Sequence, residues 1–173
     1  MRQTIKDGAV KRIRVIDEIC LKPPTNTIPQ IKVAFDFKYK NVKEFYYSGD
    51  PSGKAKSQRK SADEAESYYD QIRISFAEYL NNYSDQVPSS APPLAGRRFV
   101  MNNILSGSDD IILEVSPRCE NLIHDFETLI IDNNGGYQKK RVKNEYGQTY
   151  EEGGHCMDAL IYDTYSQFPE IFV

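Results

Sequence analysis

The sequence has no long apolar run. Its longest purely apolar stretches are only a few residues, as at residues 111–113, whereas a membrane-spanning helix needs about 20. The N-terminus carries Arg2 and Lys6, but the apolar segment of a secretory signal does not follow them. We therefore expect a soluble, cytoplasmic protein with no membrane partner.

Cysteine and histidine are also scarce. The three cysteines, Cys20, Cys119 and Cys156, are odd in number, lie far apart and form no CxxC pair, and only two histidines are present. This usage favours reduced thiols over a disulfide framework, and it argues against a structural zinc cluster.

A net positive charge is missing as well. The chain has 22 Lys and Arg against 25 Asp and Glu, a net charge of −3, so any nucleic-acid surface must be local. The remaining composition, 39% hydrophobic with 8 Phe and 12 Tyr in 173 residues, is that of a folded globular chain. We expect a single domain over residues 1–173.

The first half of the chain predicts a hairpin and two helices. Residues 1–5 and 10–21 read as strands joined through Asp7-Gly8, a strong hairpin signal. Residues 28–40 fit both strand alternation and helical spacing; we choose a helix, because residues 44–48 read as a strand that would follow a crossover. A capping box at residues 61–64 opens an apolar stripe that predicts a long helix as far as Tyr83.

The second half predicts three more helices, a strand and an exposed hairpin. Residues 96–105 and 155–165 read as helices, and Ser116-Pro117 predicts the start of a helix that continues to Ile130. Residues 111–115 read as a buried strand, and the polar residues 137–152 as a loop or exposed hairpin. This order predicts an α/β protein with a mixed sheet flanked by helices.

The turn at residues 46–53 is the first candidate site. It presents Asp50 at the carboxyl end of a predicted strand, where open α/β sheets gather their ligands. The alternative is that Asp50 forms the turn before Pro51 and has no other role.

The start of the last helix is the second candidate site. Gly153-Gly154 precedes His155 and Asp158, which are three residues apart and share a helix face. A carboxylate in the first turn of a helix is also stabilised by the helix dipole, so a structural role is the alternative. The two glycines permit a close approach of the backbone to a ligand or to another element.

Four segments resemble, in their order, the nuclease domain of the large terminase subunit of tailed bacteriophages. They are YSGDPSG at residues 47–53, RRFVMNNIL at 97–105, ILEVSPRCENLIHDFE at 112–127 and GHCMDALIY at 154–162. The resemblance covers nearly the whole chain, and it implies an RNase H-like fold. It also implies a bacterial host cytoplasm, and as partners double-stranded DNA together with other terminase or portal components.

The same resemblance implies an endonuclease that cuts concatemeric double-stranded DNA during genome packaging. Asp50 and Asp158 would be two of its acidic metal ligands, with His155 as a catalytic residue beside them. Two Mg²⁺ or Mn²⁺ ions held about 4 Å apart can activate water and stabilise the leaving oxygen of a phosphodiester. Such hard ions prefer carboxylate oxygens as ligands.

The sequence departs from the family pattern at its beginning. The family opens this domain with a central strand that bears its first catalytic aspartate; neither Asp7 nor Asp17 matches it, and no GxxxxGK[ST] phosphate loop of the terminase motor is present. We expect a truncated or split product that is weak or inactive alone as a nuclease. Loss of a central strand would expose sheet edges and favour self-association.

Two other functions stay open. One is a catalytically inactive prophage remnant, an interaction module that keeps the fold without metal chemistry. The other is a different RNase H-like nuclease, such as a resolvase, which the motif at residues 154–162 disfavours.

Two basic clusters could neutralise DNA phosphates next to the metals, although exposed lysines in loops are ordinary. The clusters are Lys54, Lys56, Arg59 and Lys60, and Lys139, Lys140, Arg141 and Lys143. Arg97 and Arg98 could pair with nearby acids or with DNA, and the sequence does not decide between them.

Overall fold

The computed structural model describes residues 2–7, 10–56, 66–107, 110–133 and 136–172. Their helices and strands are, in chain order, β1 (Arg2–Asp7), β2 (Val10–Val15), α1 (Ile28–Lys38), α2 (Tyr68–Ser75), α3 (Leu94–Ser106), β3 (Ile111–Val115), α4 (Glu120–Thr128), β4 (Lys140–Lys143), β5 (Thr149–Glu152) and α5 (His155–Gln167). This composition is mixed α/β, which confirms the predicted class.

The chain divides into two compact units. One, here called the sheet unit, consists of Met1–Cys20 together with Pro92–Val173, and the other, the aromatic unit, is Leu21–Ala91. The single domain expected over residues 1–173 stays a prediction. Among the described residues, no helix has both the length and the apolar character that crossing a bilayer requires.

A three-stranded mixed sheet organises the sheet unit. β1 pairs antiparallel with β2, with Arg2 opposite Val15, which confirms the predicted hairpin. β2 pairs parallel with β3, with Lys11 opposite Ile111, so the strand order is β1-β2-β3. β4 and β5 form a separate antiparallel pair. Of the two alternatives predicted for residues 137–152, a loop or an exposed hairpin, the structure has the hairpin.

The two faces of the mixed sheet differ in chemistry, because alternate strand residues point to opposite sides. Ile13 and Ile111 are fully buried on one face. On the other face Glu114 forms ion pairs with both Arg12 and Arg14. The helices of this unit therefore build its core against the apolar face.

The core of the sheet unit draws its side chains from β2, β3 and all three helices. Its buried members are Ile13, Val100, Met101, Ile104, Ile111, Cys119, Leu122, Met157, Leu160, Ile161, Phe168 and Phe172. Burial of this many large apolar groups is the main source of stability for the unit.

The aromatic unit is built around a cluster of rings. Phe35 of α1 lies 5.0–5.5 Å, between ring centroids, from its four neighbours Tyr39, Phe45, Phe76 and Tyr79. The helix prediction for residues 28–40 is confirmed, because α1 runs over Ile28–Lys38.

Three predicted elements of the first 91 residues are wrong in extent or type. The second strand ends at Val15 rather than at residue 21. Residues 44–48 form no strand, and only a single bridge joins Tyr47 to Asp85. Within the described part of the predicted long helix, α2 covers only Tyr68–Ser75, begins after a capping box of Ser67 and Asp70, and is followed by a 3₁₀ turn, Ala77–Tyr79. The box expected at residues 61–64 lies outside the described residues.

The later helices agree better with prediction. α3 and α5 include the predicted ranges, and β3 has the predicted bounds. α4 begins at Glu120 and not at Pro117, since residues 117–118 form a turn, and it ends at Thr128.

Candidate functional site

The start of α5 is fixed by a carboxylate from α4. The side chain of Asp125 is buried, and it accepts hydrogen bonds from the backbone N–H groups of Gly154, Cys156 and Met157 at 2.9, 3.1 and 3.1 Å. The first N–H groups of a helix have no partner within the helix. Asp125 supplies that partner and places a negative charge at the positive end of the helix dipole.

The two glycines before α5 are required by backbone conformation. Gly153 and Gly154 have φ of +86° and +76°, the left-handed region that other residues rarely adopt. A Cβ added at Gly154 would meet Leu129 and Tyr137 at 3.5 Å, which is ordinary contact. The backbone approach predicted for these glycines is therefore to neighbouring side chains of the sheet unit.

Asp158 lies one turn into α5 and is held by two cations. Its Oδ2 accepts a hydrogen bond of 2.9 Å from Lys139 Nζ, and its Oδ1 lies 4.0 Å from Arg97 Nη1. The Arg97 guanidinium also donates to Tyr162 Oη at 3.2 Å and lies 5.1 Å from the centre of that ring. The sequence did not decide whether Arg97 pairs with a nearby acid or with DNA. In the structure Arg97 lies beside an acid, Asp158.

These side chains line a pocket of about 200 Å³ in the sheet unit, smaller than the ~300–1,000 Å³ of clefts that bind drug-sized ligands. The lining residues are Leu94, Arg97, Arg98, Ile131, Gly136, Tyr137, Lys139 and Asp158. Three cations and one carboxylate leave the lining with a net of two positive charges.

Tyr137 is another lining residue of this pocket. Burial, and then the negative charge of Asp158, raise the pKa of Tyr137 from 10.0 to about 12. The phenol is therefore neutral near neutral pH, and it can donate a hydrogen bond to an anion.

His155 occupies the first position of α5, but its ring turns toward β5. The ring is exposed, and Nε2 donates a hydrogen bond of 2.8 Å to the Glu151 carbonyl oxygen. His155 and Asp158 thus share the first turn of one helix, as predicted. Each has a separate partner within the unit.

Asp50 belongs to the aromatic unit, whereas Asp158 belongs to the sheet unit. Asp50 is exposed at the start of a short 3₁₀ turn, Pro51–Lys54, where its Oδ1 accepts a hydrogen bond of 2.8 Å from the Ser52 N–H. This contact is the one expected of a turn former. The convergence of the two carboxylates on one pair of ions stays a prediction.

A pair of divalent cations needs several anionic ligands around it. Within the part of the chain that the structure describes, no three His, Cys, Asp or Glu side chains come together as such a set. Asp158 is paired with Lys139 and Arg97, whose charges oppose the approach of a metal ion. The two-metal site that the resemblance implies stays a prediction.

The predicted basic clusters are placed only in part. Lys54 donates to the Val87 carbonyl oxygen at 3.0 Å, and Lys56 is exposed, both in the aromatic unit; Arg59 and Lys60 lie outside the described residues. In the second cluster Lys139 lines the pocket, while Lys140, Arg141 and Lys143 are exposed on β4, and Arg141 lies 3.9 Å from Glu151.

Two important acids were not predicted from the sequence. Glu18 accepts hydrogen bonds from the Asn121 and Leu122 N–H groups at 2.8 and 3.1 Å, so it caps α4 as Asp125 caps α5. One signal was present: Asp125 lies three residues after Leu122 and next to Phe126, inside the apolar stripe of its helix. A charged residue in such a stripe indicates a buried polar partner.

No family model, curated protein or solved structure matches the chain.

Proposed function

We propose that the chain is a terminase nuclease-like fragment whose sheet unit binds the phosphates of duplex DNA at the pocket around Asp158. The observation that carries the proposal is the gathering of Arg97, Arg98 and Lys139 around one small pocket. Arginine and lysine side chains are the usual partners of DNA phosphates. The RNase H-like fold that the sequence resemblance implies is part of the proposal.

The role of Asp158 in this proposal is to position cations. Its carboxylate holds Lys139 at 2.9 Å and lies near Arg97, so both cations are oriented before a phosphate arrives. Ordering long side chains in advance reduces the entropy lost on binding. Arg98 is exposed at the same pocket and is available to a phosphate at its rim.

The same arrangement favours binding over cleavage. A carboxylate that two cations already neutralise is a poor ligand for a divalent metal ion, because the cations repel the ion and compete for the oxygens. The proposed function is therefore that of an interaction module, with little nuclease activity of its own.

The experiment is a titration of a fluorescently labelled duplex oligonucleotide, followed by anisotropy at several salt concentrations. Arg98→Glu should weaken binding about tenfold or more at low salt. It should also make the slope of the logarithm of the binding constant against the logarithm of salt concentration shallower, by an amount that corresponds to about one to two phosphate contacts. The matched control is Arg118→Glu, which makes the same charge change at an exposed residue of the sheet unit outside the pocket.

The proposal fails if wild-type chain does not bind the duplex, or if Arg98→Glu and Arg118→Glu weaken binding equally. Equal effects would mean that only the overall charge matters. Circular dichroism of both variants checks that the fold is kept.

The second candidate is the metal-dependent endonuclease itself, favoured by the placement of His155 and Asp158 together in the first turn of α5. Calorimetric titration with Mn²⁺ separates the two functions. Binding that is lost in both Asp50→Asn and Asp158→Asn, together with Mn²⁺-dependent cleavage of plasmid DNA, supports the nuclease. Binding that is absent, or that neither change affects, supports the interaction module.

A further inference from the structure

Two cysteines that are far apart in the sequence lie in contact in the sheet unit. The Sγ atoms of Cys20 and Cys156 are 3.5 Å apart although 136 positions separate the residues. Cys20 is exposed and Cys156 is half-buried. Neither is part of a disulfide.

The backbone around each thiol is held by α4. Two residues before Cys20, Glu18 binds the first N–H groups of α4. At the far end of the same helix, Asp125 binds the N–H of Cys156 at 3.1 Å. The two cap contacts hold the backbone near both cysteines against one helix.

We propose that Cys20 and Cys156 are a redox pair, which a peroxide oxidises to an intramolecular disulfide. In the first step the Cys20 thiolate attacks hydrogen peroxide; the O–O bond breaks, a sulfenic acid forms, and the released hydroxide takes up a proton as water. In the second step the Cys156 sulfur attacks the sulfenic sulfur, the S–O bond breaks, and a second water leaves with the Cys156 proton. The two sulfurs are oxidised, and the peroxide is reduced.

The order of the two steps follows from the surroundings of the thiols. Only Cys20 is exposed, so it is the sulfur that peroxide reaches first. The hydrogen bond with Cys20, burial, and the charges of Glu18 and Asp125 raise the pKa of Cys156. Cys156 is less exposed than Cys20, so it is the sulfur that resolves the sulfenic acid.

Cys119 is the natural control within the same unit. It is fully buried in the core, where its thiol lies 3.7 Å from the Val15 carbonyl oxygen, and burial raises its pKa. A buried thiol of this kind is inert toward peroxide.

The test uses the full chain, treated with hydrogen peroxide and then assayed under denaturing conditions for free thiols and by peptide mass mapping. The free thiols should fall from three to one, with a linked pair of peptides that contain Cys20 and Cys156 and a mass lower by two hydrogens. The link should raise the thermal midpoint by about 5–15 °C, since it closes a loop of more than 100 residues, and a thiol reductant should reverse both changes.

Three variants make the result decisive. Cys119→Ala should keep the link, whereas Cys20→Ser and Cys156→Ser should each abolish it. Cys156→Ala is a second variant in case serine at the start of α5 disturbs the fold. The proposal is overturned if peroxide leaves three thiols, if Cys20 is over-oxidised without a link, or if the products are only dimers joined through Cys20.

Discussion

The carboxylate of Asp125 accepts a hydrogen bond of 2.9 Å from the backbone N–H of Gly154, at the point where α5 begins. Asp125 is buried, and Gly154 has no side chain with which to cap the helix itself. The residue that caps α5 is therefore supplied by a different helix, and α4 and α5 are tied together through it.

Asp125→Ala should destabilise the protein by about 2–4 kcal/mol, because it leaves N–H groups of the first turn without a charged acceptor. Urea unfolding, followed by circular dichroism, measures the loss. The matched control is His124→Ala, its exposed neighbour in the same helix, which should change stability by less than about 0.5 kcal/mol. Equal losses for the two variants would contradict the capping role.

Tyr137 should titrate at higher pH than an ordinary tyrosine, since burial and the charge of Asp158 raise its pKa to about 12. The absorbance difference between wild type and Tyr137→Phe during alkaline titration isolates this group. In Asp158→Asn the titration of Tyr137 should move to lower pH, because a nearby negative charge that disfavours the phenolate is removed.

The raised pKa of Tyr137 also has a consequence for stability. The folded chain resists ionisation of this tyrosine, whereas the unfolded chain releases the proton near pH 10, so its contribution to stability is full below pH 10 and is lost as the pH rises toward about 12. Urea unfolding across that range should show a steeper loss of stability in wild type than in Tyr137→Phe. Parallel curves would mean that Tyr137 titrates normally.

Ser67 should contribute to the start of α2, because Ser67 and Asp70 satisfy one another's backbone N–H groups. Ser67→Ala should lower the stability of this helix by about 1 kcal/mol and speed hydrogen exchange of its amides about fivefold. Ser89→Ala, at an exposed loop position of the same unit, should leave those amides unchanged. The cap is unimportant if both variants exchange alike.

The sequence predicts best those elements whose signals are local. The hairpin of β1 and β2, strand β3 and helix α5 were predicted because alternation, an Asp-Gly turn and a pair of glycines are all read within a few residues. The failure at residues 44–48 has the opposite cause: a strand needs a partner, and Tyr47 finds only a single bridge to Asp85. The sequence of a segment does not reveal whether another segment will pair with it as a strand.

In the candidate site, too, local features could be predicted from the sequence and contacts between distant segments could not. Asp158 was proposed as a site residue because it shares a helix face with His155 and lies in a segment that resembles the terminase family. The cations around it, Lys139 and Arg97, come from a loop and a different helix. Glu18 and Asp125 were missed because a capping carboxylate is normally sought next to its helix. Such non-local contacts appear only when the chain is folded.

Glu114 gives a prediction for acid conditions on the charged face of the mixed sheet. Its carboxylate forms ion pairs with Arg14 and Arg12, and hydrogen bonds from these two side chains hold the pKa of Glu114 below 4.5. A depressed carboxyl pKa stabilises the folded chain above the unfolded value, and that contribution is lost as the pH falls through the folded value. Glu114→Gln should therefore have a lower thermal midpoint than wild type at neutral pH and lose less of it on acidification.

The control for this prediction is Glu127→Gln, which removes one negative charge at an exposed position of the same unit. A general effect of net charge would change both variants alike, whereas the ion pairs of Glu114 affect only one of them. Because cross-strand pairs on an exposed face are screened by ions, added salt should reduce the difference between wild type and Glu114→Gln at neutral pH. A difference that persists unchanged in high salt would show that Glu114 acts through packing instead of charge.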